Sequence, residues 1–469
     1  MTEQNSWREG MDLRIQHEIT HIISQFGEHD IDVTVGRNSD GGGYMYAVQH
    51  ILVLEEYLDR VVEILRRRSQ RPEEEQRESE QREPGGGPAG EREIQHQTVI
   101  VGVRLLRLAE FGLDVPTALD YIDEEIGEGV ATPDHVLSVA PEAGPCPATE
   151  PQEVYGDTGP YPAECGTKAG TGVKIYIGDT GLLMDAPGSH SWLAGVDGDE
   201  DPNAPDPAAV PPQIQPYAGH GTFVAGVARC MAPAAEIYVA NIFKIAGSAL
   251  ESHMVRRLRA ALGHGVDIFH LSIVAPTRKE LPLAAFRKWL SLLAEHQGVI
   301  CVAAAGNNSS RGPYWPGALP EVITVGALAL DWRSRASFSN FGGWVDVYAP
   351  GTNLINAYAT GDYTCQIAPY QGTVRKFFGM AQWSGTSFST PLVTGLIAAR
   401  MSRTSENAEE AAAALLIQAR AQAIPGVGPV LLPCCDDDDP PRHSSHCGCA
   451  RSAECCCGAH HHHHHPSVC

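Results

Sequence analysis

The chain has 469 residues, 43% of them hydrophobic and 19% charged, with a formal net charge of -23 at pH 7. That length allows about three domain-sized units, one of them large enough to bury a substantial apolar interior. The acidic balance argues against nucleic acid and anionic membrane surfaces as main partners, and no apolar stretch approaches the roughly 20 residues that span a bilayer.

The amino terminus, Met1 to Asp12, lacks the basic and then apolar pattern of a secretory leader, so a cytoplasmic location is expected. Residues 1–140 read as an α/β region. Val33 and Val35 flank a short alternating piece, Tyr44 to Leu54 reads as a strand, and Glu55 to Arg67 has helical spacing through Leu58, Val61, Val62 and Leu65. Residues 66–93 are dense in Glu, Arg, Gln, Pro and Gly and leave almost nothing to bury, which predicts a disordered insertion. Thr98 to Leu106 reads as another strand. Pro116 opens a helix over Thr117 to Ile126 that Gly127 closes, and His135 to Ala140 makes a last strand. Residues 141–169, rich in Pro, Gly and Glu, read as a linker.

Beyond the linker, Val173 to Gly178 is a short apolar run that reads as a buried strand delivering Asp179 at its carboxyl edge. The acidic stretch Asp197 to Pro207 reads as a solvated loop; its carboxylates offer a structural Ca²⁺ site, without the ordered spacing of a calcium loop. His220 heads a small and apolar run that predicts a buried helix. Strand-like runs start at Ile237, Val266, Gly298 and Val322 and alternate with helix-like ones at Glu251 to Gly263 and Leu281 to His296. Ser387 precedes a run of helical length, Thr390 to Met401, with Pro391 near its first turn. Such alternation predicts an α/β fold, a parallel sheet flanked by helices on both faces, over residues 170–425.

Three strings carry chemistry: IGDTG at Ile177 to Gly181, GHGT at Gly219 to Thr222, and SGTSFSTP at Ser384 to Pro391. They supply an acid, a base and a nucleophile for acyl transfer. Ser387 would attack a carbonyl, His220 would take and return the proton, and Asp179 would hold the imidazole in the useful tautomer. Alone, DTG is an ordinary strand-to-turn ending and a histidine between glycines suits a plain loop; their order and number carry the reading.

With these strings, residues 172–400 resemble the catalytic domain of subtilisin-like serine proteases, the subtilase family. CVAAAGN, Cys301 to Asn307, resembles the oxyanion segment of that family, and the resemblance implies that the Asn307 amide and the Ser387 backbone N–H meet the tetrahedral oxyanion. WPGALPEVITVGAL from Trp315, ASFSNFG from Ala336 and VDVYAPG from Val345 follow in the family's order. The family's substrate-pairing edge maps to Leu271, Ser272, Ile273 and Val274, with Val274 where a glycine is usual. A branched side chain there predicts a narrowed groove and restricted substrates, or else a core filler beside a shifted edge. Residues 1–140 are similar to the small pro-regions of the family, which implies an inhibitory or folding-assisting role; a recruitment module or constitutive layer fits the same pattern. If the chain matures by self-cleavage, the cut is expected between Pro141 and Thr149.

Residues 434–469 hold eight of the thirteen cysteines, four consecutive aspartates and His460 to His465, and no globular core forms from them. Dense thiolate and imidazole favour Zn²⁺ or Cu⁺, against unstructured low-complexity sequence. The six histidines read equally as a tag or a native tract. The other five cysteines give no disulfide framework. The expected function is a serine endopeptidase of restricted processing specificity that acts on peptide or protein substrates and needs no cofactor for its chemistry. The alternatives are a catalytically silent binding protein and a metal-binding protein acting through its tail.

Overall fold

A computed structural model describes residues 13–77, 95–139, 148–156, 158–367 and 369–433. Helix α1 (Leu13–Glu28) leads into β1 (Val33–Arg37), β2 (Gly43–Leu54), α2 (Leu58–Arg77), β3 (His96–Ile100), β4 (Val103–Arg107), α3 (Val115–Glu125) and β5 (Ala131–Ser138). These strands form an antiparallel sheet centred on β2, which pairs with β1, β4 and β5. Both faces of β2 are buried. Tyr44, Tyr46, Ile51 and Val53 pack with α2 and α3, while Met45, Ala47 and Leu52 join the interior shared with the larger sheet. Burial on both faces is why this strand reads as a nearly continuous apolar run.

The larger unit runs through β6 (Lys174–Asp179), α4 (Ala186–Ser189), β7 (Asp197–Gly198), β8 (Gln213–Ile214), α5 (His220–Met231), β9 (Glu236–Asn241), β10 (Ser248–Leu250) and α6 (Glu251–Ala261). It continues through β11 (Ile268–Leu271), α7 (Ala284–Leu293), β12 (Ile300–Ala304), β13 (Val322–Leu328), β14 (Val347–Pro350), β15 (Leu354–Thr364), β16 (Val374–Trp383), α8 (Thr386–Thr404) and α9 (Ala408–Ala421). Seven strands form one parallel sheet in the order β14-β13-β12-β11-β6-β9-β7. Ile175, Ile177, Val302 and Val325 face α5, α8 and α9; Phe269, Leu271, Cys301 and Ala303 face α6 and α7. The expected architecture of a parallel sheet between two helical layers is thus present, preceded by a small α/β region.

Several sequence readings are corrected. The single strand expected over Thr98 to Leu106 is a hairpin, because Gly102 takes φ +87 and turns the chain between β3 and β4. The insertion expected from Arg66 is helical as far as Arg77; the rest of it, residues 78–93, lies outside the described residues. The expected linker is partly structural: Gln152 bridges Gln382, Tyr161 bridges Ile355, and the buried Glu150 carboxylate accepts from Tyr363 Oη and the Gln366 N–H. The expected end of the larger unit at 425 moves outward, since Val430 bridges Tyr348. The Cys/His tail, 434–469, lies outside the described residues.

Candidate active site

Asp179 closes β6, next to β11 and β9, where successive connections leave the sheet in opposite directions. Ligand sites of open α/β sheets gather at such carboxyl edges. Its Oδ1 accepts from the Thr180 N–H at 2.7 Å and from His220 Nδ1 at 2.7 Å, and both side chains are fully buried. With a carboxylate on Nδ1, the imidazole carries its proton there and presents Nε2 as a base. That Nε2 has no hydrogen-bond partner among the described residues. Trp383, edge-on at 5.8 Å, and Phe388 at 5.5 Å wall the ring.

The position of His220 is set by the turn before it. Gly219 adopts φ +74 as the residue before α5, and its N–H donates to Asp201 Oδ2 at 2.8 Å. The Gly221 N–H donates to Thr180 Oγ1 at 3.1 Å, and Thr180 Oγ1 lies 3.3 Å from Asp201 Oδ2. A Cβ on Gly221 would sit 2.4 Å from the Gly181 carbonyl oxygen, so GHGT requires glycine there to bring α5 against the IGDTG turn. Asp201 corrects the solvated-loop reading of Asp197 to Pro207: it is buried, and burial, with the Asp179 charge adding to it, raises its carboxyl to about 6.

Ser387 lies in the first turn of α8. The helix start directs backbone N–H groups and partial positive charge at the cleft. Asn307 lies just beyond β12. Its Oδ1 accepts from the Thr386 N–H and from Thr386 Oγ1, both at 2.9 Å, which turns the amide nitrogen away from Thr386 and defines it as the donor end. Asn340 holds the loop: its Oδ1 accepts from the Asn308 and Ser310 N–H groups and its Nδ2 donates to the Ala305 carbonyl.

The edge expected to pair with substrate is occupied by the chain's own N-terminal region. Ser138 and Val274 exchange both backbone hydrogen bonds, at 3.2 and 3.1 Å, and the Val139 N–H donates to the Gly247 carbonyl at 2.9 Å. On its other side β5 pairs with β10 in the register Ser138↔Ser248, so the strand lies between two segments of the larger unit. Of the four expected edge residues, only Val274 makes this pairing among the described residues. Leu271 and Ile273 put their side chains into the interior, and the Ser272 hydroxyl donates to the Ser387 carbonyl at 2.9 Å. Self-cleavage between Pro141 and Thr149 falls almost wholly on residues outside the described set.

Sequence reading missed Thr180, Asp201, Asn340 and Thr386. Thr180 and Thr386 stand inside the IGDTG and SGTS strings beside the reacting residues, which was a usable signal; Asp201 and Asn340 are positioned by tertiary packing alone. Among the described residues no group of three or more His, Cys, Asp or Glu side chains is arranged to hold a metal ion. Asp199 of the acidic loop instead pairs with Arg257 and Tyr238.

Fold and site together define a parallel α/β chain with an Asp-His pair, a helix-borne serine and an asparagine donor at one sheet edge. The Subtilase family profile matches residues 170–447, more than half of the sequence. The chain belongs to that family. It is 28% identical over 242 residues to Subtilisin Savinase of Lederbergia lenta, across 49% of this chain and 76% of that protein. It is likewise 28% identical over 242 residues to M-protease of Shouchella clausii strain KSM-K16, across 49% of this chain, and it spans about half (54%) of that relative's length. Fervidolysin from Fervidobacterium pennivorans, described as a keratinolytic enzyme related to subtilisin, shares the fold with a TM-score of 0.53 and 18% identity. That likeness extends over 82% of this chain and 60% of that one.

Proposed function

We propose that the chain is a serine endopeptidase. The observation that carries the reading is the buried Nδ1–Oδ1 contact of 2.7 Å between His220 and Asp179 at the same sheet edge as Ser387 and Asn307. Ser387 Oγ attacks the scissile carbonyl carbon while His220 Nε2 takes its proton. The oxyanion is met by the Asn307 amide nitrogen and the Ser387 N–H. As the C–N bond breaks, His220 returns the proton to the leaving amine, and a water activated by the same imidazole hydrolyses the ester.

The specificity is restricted at the residue whose carbonyl is attacked. In a substrate strand paired in the antiparallel register of Ser138↔Val274, the residue two positions further on would lie opposite Ser272, whose hydroxyl touches the Ser387 carbonyl. Directly opposed residues share a sheet face, so that substrate side chain points to the side on which Val274 lies. Both Val274 Cγ atoms sit 3.4 Å from where a Cβ on Gly306 would be, which places the branched side chain against the backbone just before Asn307. A substrate with Gly, Ala or Ser at the cleaved position fits; a large aromatic meets Val274. Val274→Gly should raise kcat/KM for Phe or Leu at that position at least tenfold in a peptide library, and an unchanged profile would refute the assignment.

The N-terminal region acts as an intramolecular inhibitor. Its strand fills the edge that substrate would pair with. Asp134, fully buried, accepts from the Ser252 N–H at 2.9 Å and the Ser252 hydroxyl at 2.6 Å and so caps α6 from across the seam. Covalent labelling by a fluorophosphonate serine probe tests both parts. The intact chain, a form beginning at Glu150, and both with Ser387→Ala are compared. Labelling that needs Ser387 and rises without the N-terminal region is expected. Equal labelling of both forms would remove the inhibitory role, and no labelling of either folded form would favour a silent binding protein.

A further inference from the structure

Beneath the nucleophile lies a second buried histidine that the acyl-transfer reading does not use. His270 is the third residue of β11, is fully buried, and faces α8. Its Nδ1 is 2.9 Å from Thr394 Oγ1 and its Nε2 is 2.8 Å from Ser272 Oγ. Thr394 Oγ1 continues to the Thr390 carbonyl at 3.1 Å, and Ser272 Oγ to the Ser387 carbonyl at 2.9 Å. One chain of hydrogen bonds thus joins the first turn of α8 to its second through an imidazole in the sheet.

The far end of this chain is there because of Pro391. In a regular helix the Ser387 carbonyl would accept the N–H of the residue four places on, which is Pro391 and has none. Left alone, that buried carbonyl would cost about 1–3 kcal/mol. Ser272 supplies the missing donor.

The hydroxyl of Ser272 has a single proton, and it is committed to the Ser387 carbonyl. The contact between Ser272 and Nε2 therefore needs its proton from the ring. Burial favours the neutral ring and lowers the His270 pKa to about 3, with the His220 charge acting in the same sense and Asp179 opposing it. A neutral imidazole has one N–H. If it is on Nε2, Thr394 turns its one proton from the Thr390 carbonyl to Nδ1, and that carbonyl keeps the helical N–H of Thr394; if it is on Nδ1, Ser272 must turn its proton to the ring and leave the Ser387 carbonyl, which faces Pro391, with no donor.

We propose that His270 is a positioning residue, held as the Nε2–H tautomer, that donates to Ser272 and through it fixes the main chain of Ser387. Fixing that carbonyl fixes the peptide on which the nucleophile and its oxyanion-binding N–H are carried. Misplacement of such groups by about 1 Å costs on the order of a hundredfold in rate. The proposal rests on the endopeptidase reading for its consequence, and on the hydrogen-bond chain for its chemistry.

The test uses the full chain and a small alkyl fluorophosphonate, separating the maximal labelling rate from the concentration giving half of it. His270→Leu and Ser272→Ala should each lower the maximal rate about tenfold to a hundredfold while half-saturation stays within twofold. The double variant should be no slower than the slower single one. His270→Gln, whose amide can still donate to Ser272, should recover most of the rate. An unchanged rate in both single variants, or multiplying losses in the double, would overturn the proposal. If His270→Leu fails to fold, Ser272→Ala and His270→Gln decide. Nitrogen-15 NMR of His270 is read independently of activity: a protonated Nε2 and bare Nδ1 at pH 7, with the Nε2 signal moved by Ser272→Ala, are expected. A proton on Nδ1 would refute the assignment even in a chain that no probe labels, whereas loss of labelling with the expected tautomer would refute only the endopeptidase reading.

Discussion

Two seams meet the parallel sheet, and they are made differently. The seam toward α5 and α8 is apolar apart from the site and the His270 chain, with Phe223, Phe388, Val302 and Val325 filling it. The seam toward the N-terminal sheet shares an apolar interior but is also studded with ionisable groups. Arg278 pairs with Asp120 and Asp123, Lys279 with Asp123 and Glu128, Asp134 with His50 and Ser252, and His135 lies 4.0 Å from Glu251. The apolar seam fixes atoms for chemistry irrespective of conditions. The polar one makes attachment of the N-terminal layer a function of pH and salt.

The sharpest way to break this comparison is through the reacting residues. Ser387→Ala should reduce probe labelling by a factor on the order of 10⁴ or more without moving the thermal midpoint, because the hydroxyl contributes chemistry rather than support. Asn307→Ala should slow the labelling rate roughly a hundredfold to a thousandfold. A loss below tenfold would mean the oxyanion is held elsewhere.

The docking seam should respond to acid. The Arg278 N–H donates to His135 Nε2 at 3.1 Å, so the neutral ring carries its proton on Nδ1, and protonation would set N–H against N–H. Burial depresses His135 to about 3. Such a shift contributes stability that is present above the ordinary histidine pKa and is lost as pH falls from about 6.5 toward 3, on the order of 2 kcal/mol by pH 5. Glu251 works in the opposite sense: burial raises it to about 8, so its contribution is full below the ordinary carboxylate range and lost as pH rises through about 8. Hydrogen exchange at the Ser138 and Val139 amides of wild type and His135→Phe separates the two. Only the wild type should show the His135 loss between pH 7 and pH 5; parallel behaviour of both chains would refute it. A smaller effect, about 1 kcal/mol, is expected from Asp134→Ala, which leaves the start of α6 uncapped; the same exchange measurement reads it.

The apolar seam was also the more legible one. Val173 to Gly178 and Val322 to Leu328 read as strands because short runs buried on both faces have few other solutions, and the IGDTG and GHGT strings carry glycines that close approach requires, such as Gly221. The N-terminal layer was read in outline, yet α1 was missed and β3 and β4 were merged, since the Gly102 turn interrupts an apolar run by only two residues. The Ser272 and His270 side chains could not be read at all. One looked like part of a substrate edge and the other like ordinary strand, because their roles depend on a proline more than a hundred residues away.

Val139 and Ala148 are attached to different parts of the molecule. Val139 belongs to the N-terminal layer, whereas the Ala148 N–H donates to the Ser384 carbonyl, the Thr149 carbonyl accepts from Trp383, and Glu153 accepts from the Lys376 N–H, all in or beside the β15–β16 hairpin. A cut between them therefore leaves the new amino terminus bound to the larger unit and frees only the preceding piece. Within one uncut chain, the strand meets the Val274 edge at an effective concentration on the order of millimolar. After a cut, at micromolar protein, the same contacts face about a thousandfold dilution, worth about 4 kcal/mol. Such a cut would turn the inhibition proposed above into one that dilution relieves.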